Sequence, residues 1–89
     1  MSTHISHPAI IKRLKRATGH LASIVAMLED ERACVDIAQQ LQAVENAINS
    51  AKKTLIHDHI EHCLEHAVEA GRDKTYSIAD EFKAIAKYL

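Results

Sequence analysis

The chain has 89 residues, with 11 Lys and Arg against 12 Asp and Glu and a formal net charge of −1. A chain of this length forms one small domain and buries too little surface to be comfortably stable alone. Aromatic residues make up only 3% of the sequence, so a core built by one chain would be thin and we expect an oligomer. The near-neutral charge excludes a globally basic nucleic-acid binder but not a local basic patch.

The sequence contains no apolar run of the ~18 residues that a transmembrane helix needs, and its N-terminus lacks the apolar core of a secretory signal. We therefore expect a cytoplasmic protein that does not associate with membranes. In that reducing compartment the two cysteines are better candidates for metal binding or thiol reactivity than for a structural disulfide. No catalytic triad, phosphate loop or evident substrate cleft is present, so no enzyme is expected.

The sequence pattern of the N-terminal third predicts a short tail followed by a first helix. Residues 1–7 are expected to form a flexible tail, and residues 8–89 a single helical domain. Pro8 suits the first turn of a helix, which Ser6 or His7 can cap. Apolar residues recur at helical spacing over roughly two dozen positions. These residues are Ile10, Ile11, Leu14, Ala17, Leu21, Ile24, Val25 and Leu28.

A long second helix follows the acidic connection at residues 29–32 and begins close to Cys34. From Ala33 to about Ala70 the chain has no Gly or Pro, which predicts one helix of about 35 residues, roughly 50 Å long. Gly71 is expected to cap it, with a turn at residues 72–75. Ser77 and Asp80 resemble a capping box that starts a short last helix. The apolar stripe of that helix is Ile78, Phe82, Ile85 and Leu89.

Residues 57–66 of the second helix contain four histidines and a cysteine. His59 and Cys63 stand at i, i+4, so they share one helix face and can bind one metal ion. His62 and His66 fall in the same sector, whereas His57 points to the other side. Two side chains do not complete a coordination sphere, and the missing ligands must come from elsewhere in the chain.

Cys34 is the candidate for the missing ligand. It precedes His59 by 25 residues on the same predicted helix, or about 37 Å at 1.5 Å per residue, so the two cannot share an ion within one chain. If two long helices pair antiparallel and cross near residue 47, Cys34 of one lies opposite residue 60 of the other. This register predicts a two-fold dimer with two equivalent sites, each formed by Cys34 of one subunit and His59 and Cys63 of the other.

Simpler explanations exist for several of these residues. A single cysteine at a helix start is often a small buried hydrophobe, and His62 and His66 are typical of a solvated helix surface. The i, i+4 spacing of His59 and Cys63 also arises by chance. The antiparallel register favours the metal interpretation because it brings three metal-binding residue types together.

The first helix carries a basic cluster that predicts contact with DNA. Repeated by symmetry in an oligomer, such a cluster makes a phosphate-binding surface whose affinity should fall steeply with salt. No helix-turn-helix is recognisable, because the connection is too acidic and the second helix too long. The candidate DNA-binding residues are Lys12, Arg13, Lys15 and Arg16 of the first helix and Lys52 and Lys53 of the second.

The sequence resembles the copper-sensitive operon repressor family, which also contains nickel/cobalt and formaldehyde sensors (the CsoR/RcnR/FrmR group). The resemblance covers nearly the whole chain and rests on residues 12–20, on Cys34 followed by residues 36–41, and on His59 with Cys63. It implies an all-α, three-helix subunit with one long central helix, an antiparallel four-helix-bundle dimer and a dimer of dimers. It also implies a repressor that binds operator DNA when metal-free and leaves it when the inducer binds, derepressing metal efflux or resistance genes.

The resemblance assigns Cys34, His59 and Cys63 as metal ligands and leaves the metal open between Ni(II)/Co(II) and Cu(I). Nickel and cobalt sensors add a ligand from the N-terminal tail, for which His4 is the nearest match and His7 the next. The tail and the residues from 81 to 89 are most similar to the branch associated with nickel-resistance operons. Ala33 replaces the aromatic residue of well-known copper sensors, which weakens the case for Cu(I).

Other functions remain open at this point. A formaldehyde- or reactive-sulfur-sensing repressor would use Cys34, in the second case by joining it to Cys63 across the dimer. A protein of another class, a cytosolic metal buffer or chaperone, would use the same ligands without DNA. Resemblance places DNA contact most firmly on Arg13 and Arg16, but Glu45 stands where many relatives have a basic residue.

Overall fold

The computed structural model describes residues 5–70 and 72–89, with side chains given for residues 5–65 and 79–89. It consists of three helices, α1 (His7–Glu29), α2 (Cys34–Ala70) and α3 (Arg72–Ala86). The all-α subunit with a long central helix is therefore confirmed. None of the helices in the described part of the chain has a stretch that would span a bilayer.

The contact between α1 and α2 follows a heptad spacing on each helix. Ile10, Ala17 and Ile24 are buried on α1, and Ile24 forms a cluster with Ile37 and Val44 of α2. Since α1 buries one residue every seven, it covers only a narrow stripe of α2. Full burial of such a side chain stabilises the fold by about 1.5–3 kcal/mol.

The connection between α1 and α2 is short and hydrogen-bonded. The Asp30 and Arg32 N–H groups donate to the Ala26 and Met27 carbonyls at 2.9 and 3.0 Å. Glu31 adopts a left-handed backbone conformation, with φ of 55°. This arrangement satisfies the last carbonyls of α1 and allows α2 to begin at Cys34, as the sequence predicted.

The chain divides into two compact units. One contains residues 8–52, that is, nearly all of α1 and the first half of α2, and the other contains residues 53–89 together with 1–7. The helix α2 runs through both units. The predicted boundary between a flexible tail and a single domain at residue 8 is untested and stays a prediction.

Large apolar side chains remain exposed on both helices of the 8–52 unit, because α1 covers the Ile37 and Val44 stripe rather than the neighbouring one. Leu41 and Ile48 are 46% and 44% exposed. The exposed apolar residues of α1 are Ile11, Leu14, Leu21, Val25 and Leu28. Among the described residues, the helical hairpin of the 8–52 unit therefore presents an exposed apolar face.

The predicted turn at residues 72–75 is wrong, since α3 begins at Arg72. The sequence Arg-Asp-Lys-Thr contains neither Gly nor Pro, and all four residues are tolerated in a first helical turn. Ser77 lies within α3 rather than at its start. The predicted cap Gly71 lies outside the described residues.

Gly19 is an exposed glycine within α1. A Cβ built there would meet no atom within 4 Å apart from its neighbours in the helix. The flanking hydroxyl groups bond back along the helix, with Thr18 Oγ1 donating to the Leu14 carbonyl at 2.9 Å and Ser23 Oγ to the Gly19 carbonyl at 3.4 Å. Packing within this subunit therefore does not explain the glycine.

Candidate metal centre

One turn of α2 and the middle of α3 bring three metal-binding side chains together. His59 is half-buried, Cys63 is 3% exposed, and Glu81 of α3 lies beside both. His59 Nε2 is 3.7 Å from Glu81 Oε1, and Cys63 Sγ is 3.8 Å from Glu81 Oε2. One ligand atom from each of the three residues lies within 4.8 Å of the others.

The separations between these donor atoms fit a transition metal. Donors bound at about 2.0–2.3 Å around a tetrahedral ion lie roughly 3.3–3.8 Å apart, and the two contacts of Glu81, each made by a different carboxylate oxygen, fall in that range. Imidazole, thiolate and carboxylate together suit divalent first-row metals. The three side chains can therefore hold such an ion with small rotations about their own bonds.

The Cys63 thiol is held in its protonated form. Desolvation by burial raises its pKa above the usual value, and the negative charge of Glu81 and a hydrogen bond from the thiol to that carboxylate raise it further. A metal ion binds the thiolate rather than the thiol, so binding at this site releases a proton. The affinity for metal consequently depends on pH.

Glu81 was not among the predicted ligands. It lies 18 residues after Cys63 on a different helix, so no i, i+4 rule connects them. The sequence did contain a sign of this role. Glu81 follows Ile78 by three residues and precedes Ile85 by four, so it lies on the same helix face as the apolar stripe. An acidic residue in that position indicates a polar partner on the facing surface.

Cys34 is the first residue of α2 and is exposed, whereas Cys63 is buried; both are free thiols. Among the described residues, the cluster of metal-binding atoms contains His59, Cys63 and Glu81, and Cys34 is not part of it. The assignment of Cys34 as a ligand stays a prediction.

The other histidines differ in their surroundings. His57 is exposed, His62 is half-buried, and the half-buried His7 is the first residue of α1. His4 and the His66 side chain lie outside the described residues. Ser6 Oγ donates a hydrogen bond to Asp58, which ties the residue before α1 to the turn of α2 that carries His59.

The predicted DNA-binding residues are all exposed. Arg13 and Arg16 line a cavity beside α2, together with the buried Ala17. Lys12 and Lys15 are not among the residues that line it.

The two predicted DNA-binding lysines of α2 lie apart from that cavity. Lys52 lines another cavity with Glu45, and Lys53 is the first α2 residue of the other unit. For all of the predicted residues, contact with DNA stays a prediction.

The sequence of the chain is similar to those of named transcriptional repressors. Over 64 residues the chain is 44% identical to the copper-sensing transcriptional repressor CsoR of Mycobacterium ulcerans (strain Agy99), which covers 72% of this chain and 55% of that protein. Over 79 residues it is 35% identical to the copper-sensing transcriptional repressor RicR of Mycobacterium tuberculosis (strain ATCC 25618 / H37Rv), covering 88% and 82%. The chain thus spans about half the length of the mycobacterial CsoR proteins it matches.

A solved structure has the same fold. The nickel-responsive transcriptional regulator InrS superposes with a TM-score of 0.84 at 23% identity, over 100% of this chain and 99% of that one. The family model described as metal-sensitive transcriptional repressor matches residues 6–87. Because that match covers nearly the whole sequence, the chain belongs to the family of metal-sensitive transcriptional repressors.

Proposed function

We propose that the protein is a metal-responsive transcriptional repressor that binds operator DNA when metal-free and leaves it when a transition metal binds. The observation that carries the proposal is the convergence of His59, Cys63 and Glu81, which place one metal-binding atom each within 4.8 Å of one another. Relatives named as copper-sensing repressors and a structural neighbour named as nickel-responsive point the same way.

The repressor acts as a dimer, and two dimers form a tetramer. The apolar face of the 8–52 unit, which includes Leu41 and Ile48, is exposed in the part of the chain that the structure describes, so a second chain is the natural partner for it. A second copy packed antiparallel along α2 covers it and carries its exposed Cys34 to the His59 and Cys63 of the first. The metal centre is therefore complete only between two chains.

A bound metal ion would coordinate side chains from α2 and α3 and so fix their relative positions. Cys63 gives up its proton, and with it the hydrogen bond that the thiol donates to Glu81. His59 and Glu81 fix α2 against α3, and Cys34 arrives from the second chain. The metal-bound arrangement is one in which the basic residues of α1 no longer match the spacing of DNA phosphates. A coupling free energy of about 1–3 kcal/mol is sufficient.

Ni(II) and Co(II) are proposed ahead of Cu(I) as inducers. Cu(I) favours thiolates and low coordination numbers, which Cys34, Cys63 and His59 alone would provide. The carboxylate of Glu81 is a hard oxygen donor and suits a divalent ion instead. His7 and His4 of the N-terminal segment are proposed as additional ligands, because the Ser6 hydrogen bond ties that segment to Asp58, the neighbour of His59 in the sequence.

The test is a DNA-binding titration. Fluorescence anisotropy of labelled DNA from upstream of the protein's own gene should show binding by the metal-free protein and release on addition of Ni(II), Co(II) or Cu(I). Chelation of the metal should restore binding. If all three metals leave the complex intact while formaldehyde or a persulfide releases it, the protein senses those compounds through Cys34. Metal binding without any DNA binding would indicate a metal buffer.

The shared site has its own test, a mixture of two inactive variants. Cys34→Ala and Cys63→Ala each lack one ligand, but a mixed dimer contains one intact site. Random exchange makes half of the dimers mixed, so about a quarter of the wild-type metal capacity should return. Absorption bands from thiolate to metal measure it. If mixing restores no capacity, then Cys34 is not contributed across the dimer.

A further inference from the structure

Two opposite charges interrupt an exposed apolar stripe of α2 within the 8–52 unit. Leu41 and Ile48 are both exposed and stand one heptad apart. Glu45 and Lys52 each follow one of them by four residues, so the four side chains share one face of the helix. All four line the same open cavity of about 610 Å³. The stripe is therefore apolar apart from one carboxylate and one ammonium group.

The two charges do not pair with each other within the chain. Seven residues of helix separate their Cα atoms by about 10.5 Å, whereas side chains that meet on a helix stand three or four residues apart. Among the described residues, neither Glu45 nor Lys52 has an ion-pair partner, and both are exposed. A surface that packs against this stripe must therefore offer each of them an opposite charge.

A second copy of this chain meets that requirement. If two α2 helices pack antiparallel with Glu45 opposite the partner's Lys52, two-fold symmetry makes the same contact twice. Leu41 and Ile48 then lie beside these contacts and bury apolar surface. A parallel pair in register would instead place each charge against its own copy, which is repulsive at both positions.

The spacing of the cysteines agrees with this alignment. Cys34 precedes Glu45 by eleven residues, and Cys63 follows Lys52 by eleven, which is three turns of helix in each case. The antiparallel alignment that brings Glu45 to the partner's Lys52 therefore also brings Cys34 to the partner's Cys63. Its crossing point lies between residues 48 and 49, less than about half a helical turn from the point near residue 47 that the spacing of the metal ligands predicts.

We propose that Glu45 pairs with the partner's Lys52 across the dimer, and that the two symmetric ion pairs fix the orientation and register of the α2 helices. This inference rests on the proposed function, of which the dimer is part, and it names the residues that align the shared metal centre. Charged residues within an apolar helix seam select one alignment at a cost in stability. Lys52 then acts between subunits rather than on DNA.

The first experiment reverses the charges. Glu45→Lys and Lys52→Glu each set like charges against each other, so the dissociation constant of the metal-free dimer should rise about tenfold or more. The double variant E45K/K52E restores opposite charges at unchanged net charge and should return to within about threefold of wild type. Fluorescence-detected sedimentation measures the constants, and circular dichroism checks folding.

The matched control for Lys52→Glu is Lys53→Glu. Lys53 is exposed and is not among the residues that line the cavity. The same change of charge there should alter the dissociation constant by less than about threefold. Equal effects at the two positions, or a double variant as weak as the single ones, would overturn the inference.

The second experiment mixes Glu45→Lys with Lys52→Glu. In a mixed dimer one chain carries two positive side chains at these positions and the other carries two negative ones, so both contacts between chains are attractive. The mixture should therefore dimerise far more tightly than either variant alone, even if neither folds by itself. Glu45→Lys mixed with Lys53→Glu has the same net charges and should recover less. If the two mixtures behave alike, Glu45 and Lys52 do not pair between chains.

The role in alignment has a separate readout in the metal centre. At concentrations where the single variants are dimeric, saturation with Ni(II) should give less than about half of the wild-type thiolate-to-metal absorption, because Cys34 no longer lies opposite Cys63. E45K/K52E should give the full band. A full band in the dimeric single variants would overturn the assignment of these pairs as the feature that sets the register.

This inference and the proposed function fail differently, because association is measured without DNA. If wild-type protein binds and releases DNA as proposed but its dimer is insensitive to Glu45→Lys and Lys52→Glu, the ion pairs are wrong and the repressor stands. If wild-type protein does not bind DNA at all, the proposed function is wrong whatever the variants do.

Discussion

The two compact units of the chain carry opposite chemistry along one shared helix. The 8–52 unit presents a cavity lined by Arg13, Arg16 and His20 without a described carboxylate, whereas the 53–89 unit brings a carboxylate, a thiol and an imidazole together. The first suits an anion and the second a cation. The helix α2 runs through both units, but the cavity and the metal-binding cluster use different residues of it. Separate substitutions should therefore remove one property and keep the other.

The largest effect is expected from Cys63→Ala. It removes the buried thiol of the metal centre, so metal affinity should fall by more than the roughly 10–100-fold that removal of an outer-shell partner causes. DNA binding by the metal-free protein should be unchanged. Competition with a Ni(II) chelator and DNA anisotropy measure the two properties on the same sample. A simultaneous fall in DNA affinity would show that the units are not separable.

The converse change is the double variant Arg13→Ala with Arg16→Ala. Removing two phosphate contacts per chain should lower DNA affinity by about two orders of magnitude or more at physiological salt, since each contact adds to the salt-dependent term. Metal affinity should stay within threefold of wild type. The matched control is Lys12→Ala with Lys15→Ala, which removes the same charge outside the cavity and should have the smaller effect.

Glu81→Gln distinguishes a ligand from a neutral neighbour in the metal centre. The amide keeps the size of the side chain but carries no negative charge, so affinity for Ni(II) should fall about 10–100-fold. The same change removes the charge that raises the Cys63 pKa, leaving burial as the remaining cause. Alkylation of Cys63 in the Cys34→Ala background should accordingly become faster at pH 8. An unchanged alkylation rate would contradict the contact.

The two units should also differ in their response to pH. Cys63 has a raised pKa and must give up its proton to bind metal, so its ionisation alone should raise metal affinity by about tenfold per pH unit below that pKa, and a proton released by Cys34 adds to this dependence. Arginine keeps its charge throughout this range, so the contribution of Arg13 and Arg16 to DNA affinity should not change. Calorimetry in buffers of different ionisation enthalpy measures the released proton. Metal binding without proton release would mean that Cys63 is not a ligand.

The sequence predicted those parts of the fold that depend on local pattern. The length of α2 and its start at Cys34 followed from the absence of Gly and Pro and from the short acidic connection. The start of α3 did not, because residues 72–75 fit a turn and a helix equally well. Periodicity also could not tell which stripe of α2 faces α1, since Ile37 and Val44 repeat at the same interval as Leu41 and Ile48.

Local sequence pattern likewise predicted only the part of the metal centre that lies on one helix. His59 and Cys63 lie one turn apart on a helix, so their proximity is a local property that spacing reveals. Glu81 reaches them from another helix, and its position depends on how α3 packs. The cavity at Arg13 and Arg16 likewise requires Ala47 and Ser50 of α2, which no pattern within α1 indicates.

The open space beside Gly19 offers a probe of what the isolated chain lacks. Alanine there should raise the free energy of unfolding by about 1 kcal/mol, because it improves helix propensity and, outside its own helix, meets no atom of the described residues. Thermal unfolding of Gly19→Ala measures this. If the variant gains stability and yet fails to repress in cells, the added methyl group clashes with a second chain or with DNA, which packs against α1 only in the assembled repressor. The absence of a side chain at Gly19 would then set how closely a partner surface approaches α1 in the bound state.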